Sequence, residues 1–317
     1  MQKKINILIT GSGGFIGRNL SEHLGSAPLK YALFCPPRNK LDLLDAAKTC
    51  EFIRKNKIEL VIHCANVGGS RKTAYDAGRT GVAAQNLRMF FNLARSGKRI
   101  ISLGSGAEYG RRHYKPRMKE TYFGAHIPED EYGLSKHLCA RYIQSAPNIV
   151  NLRLFGVFGK YENYEFKFIS NAIVKNLLGL PITINQNVRF DFLYINDCVR
   201  IIEYFIKHKP RHHSYNLATG ATIDLITIAK IINSVSEKPS EIIIKNKGLN
   251  TEYSANNKRL LKELKGFKFT PIEKAIRELY LWYKKKLGSI DCETIKKDPY
   301  IKYCRAIPSK PARSRNK

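Results

Sequence analysis

Ile5-Asn-Ile-Leu-Ile-Thr10-Gly11-Ser-Gly-Gly14-Phe-Ile-Gly17 decides the fold: an apolar run of strand length ends directly in a glycine cluster, and helix-forming sequence follows. A phosphate-binding loop requires such a junction. Gly11 permits the tight turn, Gly14 lets the backbone approach a pyrophosphate, and Gly17 lets the helix pack closely on the strand. At the head of a strand-loop-helix unit the pattern predicts dinucleotide binding, with Gly11, Gly13, Gly14, Phe15, Ile16 and Gly17 as the cofactor-binding residues.

Further along the chain, Ile58 to Ile62, Arg99 to Leu103 and Ile149 to Leu154 are short runs rich in Ile, Leu and Val, as parallel strands covered on both faces are. Helix-like segments near 15–24, 43–56, 80–96 and 131–146 lie between them. This alternation predicts an α/β fold, a doubly wound parallel Rossmann sheet with a smaller C-terminal α/β substrate lobe. Residues 1–155 form the dinucleotide-binding domain on this reading, 156–288 mainly the second lobe with segments returning to the sheet, and 289–317 a basic tail. Thr270-Pro-Ile-Glu273 predicts the start of the last long helix, with Thr270 as N-cap, proline in the first turn and Glu273 closing a capping box. Gly288 is expected to end it, and the polar, proline-bearing remainder reads as solvated. Asp197 is expected to cap a helix beginning near Cys198.

The chain holds 55 Lys+Arg against 26 Asp+Glu, a formal charge of +29, of which residues 284–317 carry +8 and the first 283 carry +21. The excess therefore belongs to the body and not to a tail alone. It suits a lysine-rich solvated surface, weak association with nucleic acid or acidic membrane, or attraction of a polyanionic small substrate. No stretch is long and apolar enough to span a membrane, and Lys3-Lys4 leads straight into the first strand. Seven cysteines without a Cys-x-x-Cys pair predict reduced core thiols of a cytoplasmic protein, with neither a metal site nor a disulfide framework.

Three further places carry chemistry. The second strand ends in Phe34-Cys-Pro-Pro-Arg38-Asn-Lys40 with no carboxylate before Asp42, so NADP(H) is favoured over NAD(H), with Arg38 on the 2′-phosphate. Tyr132-Gly-Leu-Ser-Lys136 places a phenol and an ammonium one helical turn apart, where the cation favours the phenolate and the phenol can exchange a proton with a substrate oxygen. Tyr280 and Lys284 repeat the spacing, but only Tyr132 follows, 27 residues on, a serine at a strand's carboxyl end, Ser105. His63, inside an apolar strand, reads as a satisfied core histidine.

Together, the glycine loop, Leu103-Gly-Ser105-Gly-Ala-Glu-Tyr109-Gly110 and Tyr132-x-x-x-Lys136 resemble the extended short-chain dehydrogenase/reductase superfamily, whose members mostly act on nucleotide-activated sugars. Leu154-Phe-Gly-Val-Phe-Gly159, Phe190-Asp-Phe-Leu-Tyr-Ile-Asn-Asp197 and Asn216-Leu-Ala-Thr-Gly220 extend the resemblance beyond the first domain. Arg38-Asn-Lys-Leu-Asp-Leu-Leu-Asp45 and Val61-Ile-His-Cys-Ala-Asn-Val-Gly-Gly69 are most similar to GDP-L-fucose synthases and related 4-keto-sugar reductases. The likeness implies that Ser105 binds the C4 oxygen, that Tyr132 protonates it, that Lys136 tunes Tyr132 and holds the nicotinamide ribose, and that the protein is a homodimer.

Departures from that pattern narrow the expectation. The synthases epimerise with a cysteine two residues after the serine and a histidine in the following lobe, whereas this chain has Ala107 and a histidine-free Glu165-Phe-Lys-Phe168. The Asp-Glu pair of a 4,6-dehydratase is replaced by Gly106-Ala107, with Glu108 one place late. The arginine expected before the Asp-Phe strand is displaced, leaving Arg189 as the candidate for the substrate diphosphate. The expectation is NADPH-dependent reduction of a nucleotide-diphospho-4-keto-6-deoxy sugar without double epimerisation. Its alternatives are an NAD-retaining nucleotide-sugar epimerase and, from another class, a non-catalytic dinucleotide-binding protein whose basic surface and tail bind RNA or membrane.

Overall fold

A computed structural model of the protein describes residues 4–69 and 80–304. Its first half runs β1 (Ile5–Thr10), α1 (Phe15–Gly25), β2 (Tyr31–Phe34), α2 (Ala46–Lys55), β3 (Leu60–His63), α3 (Val82–Ala94), β4 (Arg99–Ser105), α4 (Glu131–Ile143) and β5 (Ile149–Leu154). The second half continues through β6 (Gly156–Phe158), α5 (Phe168–Leu177), β7 (Ile182–Asn187), β8 (Arg189–Phe190), β9 (Phe192–Tyr194), α6 (Ile195–Lys207) and β10 (Ser214–Leu217). It closes with β11 (Ile223–Asp224), α7 (Leu225–Val235), β12 (Ile242–Leu249), α8 (Lys258–Leu264), α9 (Ile272–Lys286), α10 (Cys292–Lys296) and α11 (Pro299–Lys302).

Strands in the order β10-β5-β4-β3-β1-β2 form one six-stranded parallel sheet, so the Rossmann expectation holds. Because side chains alternate across a strand, Ile7 and Ile9 enter one core and Leu8 the other. Leu60 and Ile62 against Val61, and Val150 and Leu152 against Ile149, divide in the same way. Burial on both faces explains why apolar residues follow one another in these strands. The larger core continues without a break into α5, α6, α7 and α9, so the second lobe is packed onto the sheet. There β6 pairs with β9, β7 with β12 and β8 with β11. The sequence order reverses between β1 and β3, and the carboxyl ends of the strands open there into a cleft.

Helix ends place the residues that face this cleft. Asp45 caps α2 by accepting from Lys48 N, and Asp130 caps α4 by accepting from Gly133 N. The next residue, Glu131, accepts from Gly81 N and Ala83 N, so α4 caps α3 and the register between the two is set.

Three expectations about the C-terminal part are corrected. Helix α9 begins at Ile272 with Pro271 as N-cap, because the N–H and hydroxyl of Thr270 both donate to Asp197, at 2.7 and 2.9 Å. Asp197 accordingly does not cap α6, which starts two residues earlier; it sits in the first turn, where a carboxylate meets the positive end of the helix dipole. The segment after Gly288 does not stay in solvent as far as it is described, since Ile295 and Tyr300 are buried in the larger core. Of the seven free cysteines Cys139 and Cys198 are core residues, while Cys35 and Cys50 are exposed, contrary to the reading of all as core thiols. Among the described residues no helix is long and apolar enough to cross a membrane.

Candidate active site

The cleft has a volume of about 1450 Å³, above the roughly 300–1,000 Å³ that suits one small ligand, so it has room for a dinucleotide and a second molecule. Its floor is the glycine loop. Gly11 has φ +65°, and a Cβ there would stand 2.7 Å from Ala65 N. A Cβ on Gly17 would overlap the Gly11 carbonyl oxygen, whereas one on Gly13 would meet no protein atom within 4 Å and would fill the cleft itself. The loop is therefore a cradle that glycine keeps open at the amino end of α1, where backbone N–H groups and the helix dipole favour a phosphate. The residues present fit a dinucleotide. Gly17→Ala should cost about 1–3 kcal/mol through overpacking against a fixed carbonyl. The expected readout is a lower melting temperature together with weaker NADP(H) binding in a fluorescence titration.

Arg38 follows β2 and lines the same cleft with Cys35, Pro36 and Pro37. Asp42 also lines it, but its Oδ1 accepts from Leu44 N at 3.1 Å and holds the turn into α2.

Ser105, Tyr132 and Lys136 line this cleft as well. Ser105 ends β4 and begins a 3-10 turn over Gly106–Tyr109. Its Oγ accepts from Ala107 N at 3.1 Å, which leaves the hydroxyl hydrogen as the donor it can offer a ligand. Tyr132 lies in the first turn of α4, and its ring is covered by the loop after β3: a Cβ on Gly69 would stand 2.7 Å from three ring carbons. Asn86 on α3 clamps that loop, accepting from Val67 N at 2.8 Å and donating to Val67 O at 2.9 Å. It also donates to Ser135 Oγ at 3.3 Å, tying the loop to the helix that carries Tyr132. Lys136 Nζ donates to Leu103 O at 2.8 Å and stands 5.8 Å from the centre of the Tyr132 ring. Burial, then the charge of Lys136, pushes His63 down to about 3; this neutral histidine bonds Thr10 Oγ1 at 2.9 Å as a core group.

Glu108 faces inward, away from the role a dehydratase would give it. It is fully buried, ion-paired with Arg153, and accepts from Ser105 N and Asn151 Nδ2, each at 3.0 Å. Tyr280 and Lys284 bond Asn176 on α5 and Glu237 beyond the end of α7, and neither lines the cleft, so the repeated spacing has no part in it.

Arg189 is exposed on β8 and does not line the cleft, whereas Phe190 and Phe192 do. Besides Arg38 and Lys136, the cations that line it are Arg111, Arg112 and Lys167. Sequence reading passed over the two arginines because it sought a cation before β9; their only signal was proximity to Ser105. It also missed Glu162, a buried carboxyl on the cleft wall whose Oε2 accepts from Ser170 Oγ at 2.7 Å.

Burial outweighs the opposing influence of Lys167 and Ser170 and pushes the Glu162 carboxyl from 4.5 up to about 7. Between those values the folded state holds a proton that the unfolded chain has released, so stability falls as pH rises through the window. The cost above it is on the order of 3 kcal/mol. Glu162→Gln should melt above the parent at about pH 8 and lose that advantage near pH 5, as thermal scans across the window would read.

The family model described as the NAD dependent epimerase/dehydratase family matches residues 7–218. The chain is similar to a GDP-6-deoxy-D-talose 4-dehydrogenase of Aggregatibacter actinomycetemcomitans, 24% identical over 87% of this chain and 97% of that protein. It is also similar to a GDP-L-fucose synthase of Sinorhizobium fredii, 26% identical over 75% of this chain and 82% of that one. A solved structure of similar fold is that of a GDP-mannoheptose C4 reductase from Campylobacter jejuni with NADP bound, with a TM-score of 0.75 and 20% identity over 90% of this chain and 99% of that one.

Proposed function

The chain belongs to the NAD dependent epimerase/dehydratase family, and from that membership we propose that it is an NADPH-dependent reductase of the 4-keto group of a nucleotide-diphospho-4-keto-6-deoxy sugar. The observation that carries this reading is that Ser105, Tyr132 and Lys136 share one cleft with the glycine loop and Arg38. NADPH supplies, when bound, the hydride that reduces C4. The Ser105 hydroxyl donates to the C4 oxygen, and Tyr132 delivers to that oxygen the proton that completes the alcohol. Lys136 places its charge beside the phenol and holds the carboxyl end of β4 through Leu103, while Arg38 takes the 2′-phosphate.

Reduction without double epimerisation is supported by Ala107, which is buried and has no proton to exchange at the position of the synthases' cysteine. Glu108 does not substitute for it, being held by Arg153.

The test offers NADPH and NADH separately with GDP-, dTDP-, CDP- and UDP-linked 4-keto-6-deoxyhexoses and resolves the products by NMR. The expected result is NADPH loss equal to product formed from one donor, with C3 and C5 unchanged. A nucleotide carried through purification, with no net oxidation of either cofactor, would replace this reading by the epimerase. Arg38→Ala should lose a charge-assisted contact of about 1.5–3 kcal/mol, a roughly tenfold to hundredfold rise in KM for NADPH with that for NADH unchanged.

A further inference from the structure

All six strands of the main sheet run parallel, so their amino ends share one face of the molecule, opposite the cleft at the carboxyl ends. The short segments that enter the sheet there (residue 4, 26–30, 56–59, 95–98, 144–148 and 208–213) are strongly basic. They hold Lys4, Lys30, Lys57, Arg95, Lys98, Lys209 and Arg211 against a single carboxylate, Glu59. At the other end, the segments that leave β1, β2 and β4 (11–14, 35–45 and 106–130) hold seven Lys and Arg against six Asp and Glu. In these loops the positive excess is thus concentrated on the face away from the cleft.

Hydrogen bonds join the face into one piece. Ile5 N donates to Lys30 O and Asn6 Nδ2 to Lys57 O, each at 3.1 Å, and Asn148 Nδ2 donates to Lys98 O at 2.7 Å. The Arg99 guanidinium donates to Ile206 O at 2.8 Å and to His208 O at 2.7 Å, which holds the last segment on the same edge. Arg54, Lys57 and Lys98 stand around a cavity of about 560 Å³ there. The carboxylates at this end are already engaged: Glu59 accepts from Asn6 N at 3.1 Å, Glu203 is 2.7 Å from Lys207, and Glu263 accepts from Tyr215 OH at 2.8 Å. The carboxyl ends of α1, α2, α3 and α6 point at the face, and their dipoles favour cations there. Those dipoles do not call for Leu29, which lies 82% exposed between Pro28 and Lys30.

We propose that this face docks the protein on an anionic lipid membrane, with Leu29 entering the interface, the cations meeting lipid phosphates, and the cleft left uncovered on the far side. Clustered Lys and Arg are drawn to a negatively charged leaflet, and an aliphatic side chain among them gains the apolar contact that lipid provides. A nucleic acid would leave Leu29 without a partner, and these segments hold no Phe, Tyr or Trp on which a base could stack.

The test measures cosedimentation of the full chain with vesicles of phosphatidylcholine alone and of phosphatidylcholine mixed with phosphatidylglycerol, over a range of NaCl. The parent should bind the anionic vesicles and not the neutral ones, and salt should weaken the binding. A cation near an anionic surface contributes about fivefold in affinity. The triple variant Lys30→Gln, Lys57→Gln, Lys98→Gln should therefore bind about a hundredfold more weakly. Lys40→Gln, Lys115→Gln, Lys119→Gln removes the same charge from the cleft end and should lose far less. Leu29→Ser should bind about tenfold more weakly, with the salt dependence of the parent. No binding by the parent, equal losses in the two triple variants, or an unaffected Leu29→Ser would overturn the proposal. In the last case, retention on double-stranded RNA would assign the face to nucleic acid instead.

Discussion

Tyr132→Phe is expected to lower turnover of the nucleotide-sugar substrate about a thousandfold while leaving the dinucleotide dissociation constant unchanged. The substitution keeps the ring that packs under Gly69 and removes only the hydroxyl. Removing a positioned proton donor costs roughly a hundred- to ten-thousandfold in rate, whereas the cofactor cradle is built from the backbone of Gly11 to Gly17, more than a hundred residues earlier in the chain. Steady-state kinetics beside a dinucleotide titration reads both quantities. Near-normal turnover would take Tyr132 out of the mechanism, and loss of cofactor binding would show that the ring, rather than the proton, is what the site needs. Ser105→Ala gives a useful contrast: its Oγ also accepts from Ala107 N, so that variant disturbs the end of β4 as well as a ligand.

Breaking the buried pair beneath Ser105 is expected to destabilise the fold by about 3–5 kcal/mol. In Glu108→Gln the guanidinium of Arg153, 1% exposed, would keep its charge without the carboxylate that compensates it. Its Nη1 donates to Ser214 Oγ at 3.0 Å, the rings of Tyr109 and Phe123 lie 5.3 and 4.6 Å from it, and a further carboxylate, Glu120, acts on it more weakly. Denaturant unfolding of Glu108→Gln, Arg153→Met and the double variant would measure the coupling. The double variant should lose clearly less than the sum of the singles, because no charge is then left unpaired. Additive losses would mean that the two groups act independently. Since Glu108 also accepts from Ser105 N, the single variant should reduce turnover as well as stability.

Features legible in the sequence are those whose physical cause is local. A glycine whose Cβ would strike a carbonyl six residues earlier, as at Gly17, leaves its mark within one short window. So does a helix that brings Tyr132 and Lys136 onto one face, or a strand whose alternate residues enter opposite cores. The fault over Thr270 had the opposite origin. Thr-Pro-Ile-Glu is a sound capping pattern, but Asp197, 73 residues away, competes for the same hydroxyl and prevails.

Sequence alone pointed to the doubly wound sheet and the glycine cradle through periodicity and spacing within one unit, to Arg38 through the missing carboxylate after the second strand, and to Ser105, Tyr132 and Lys136 through a helical spacing joined to a family resemblance. Tertiary structure alone decided that Arg189 stays outside the cleft while Arg111, Arg112 and Lys167 line it, that Glu108 serves Arg153, that Asn86 holds the loop over Tyr132, and that Tyr300 packs on Phe168 of α5. Those assignments depend on contacts between elements distant in the chain, and a contact is specified by the packing of two surfaces that no local pattern encodes.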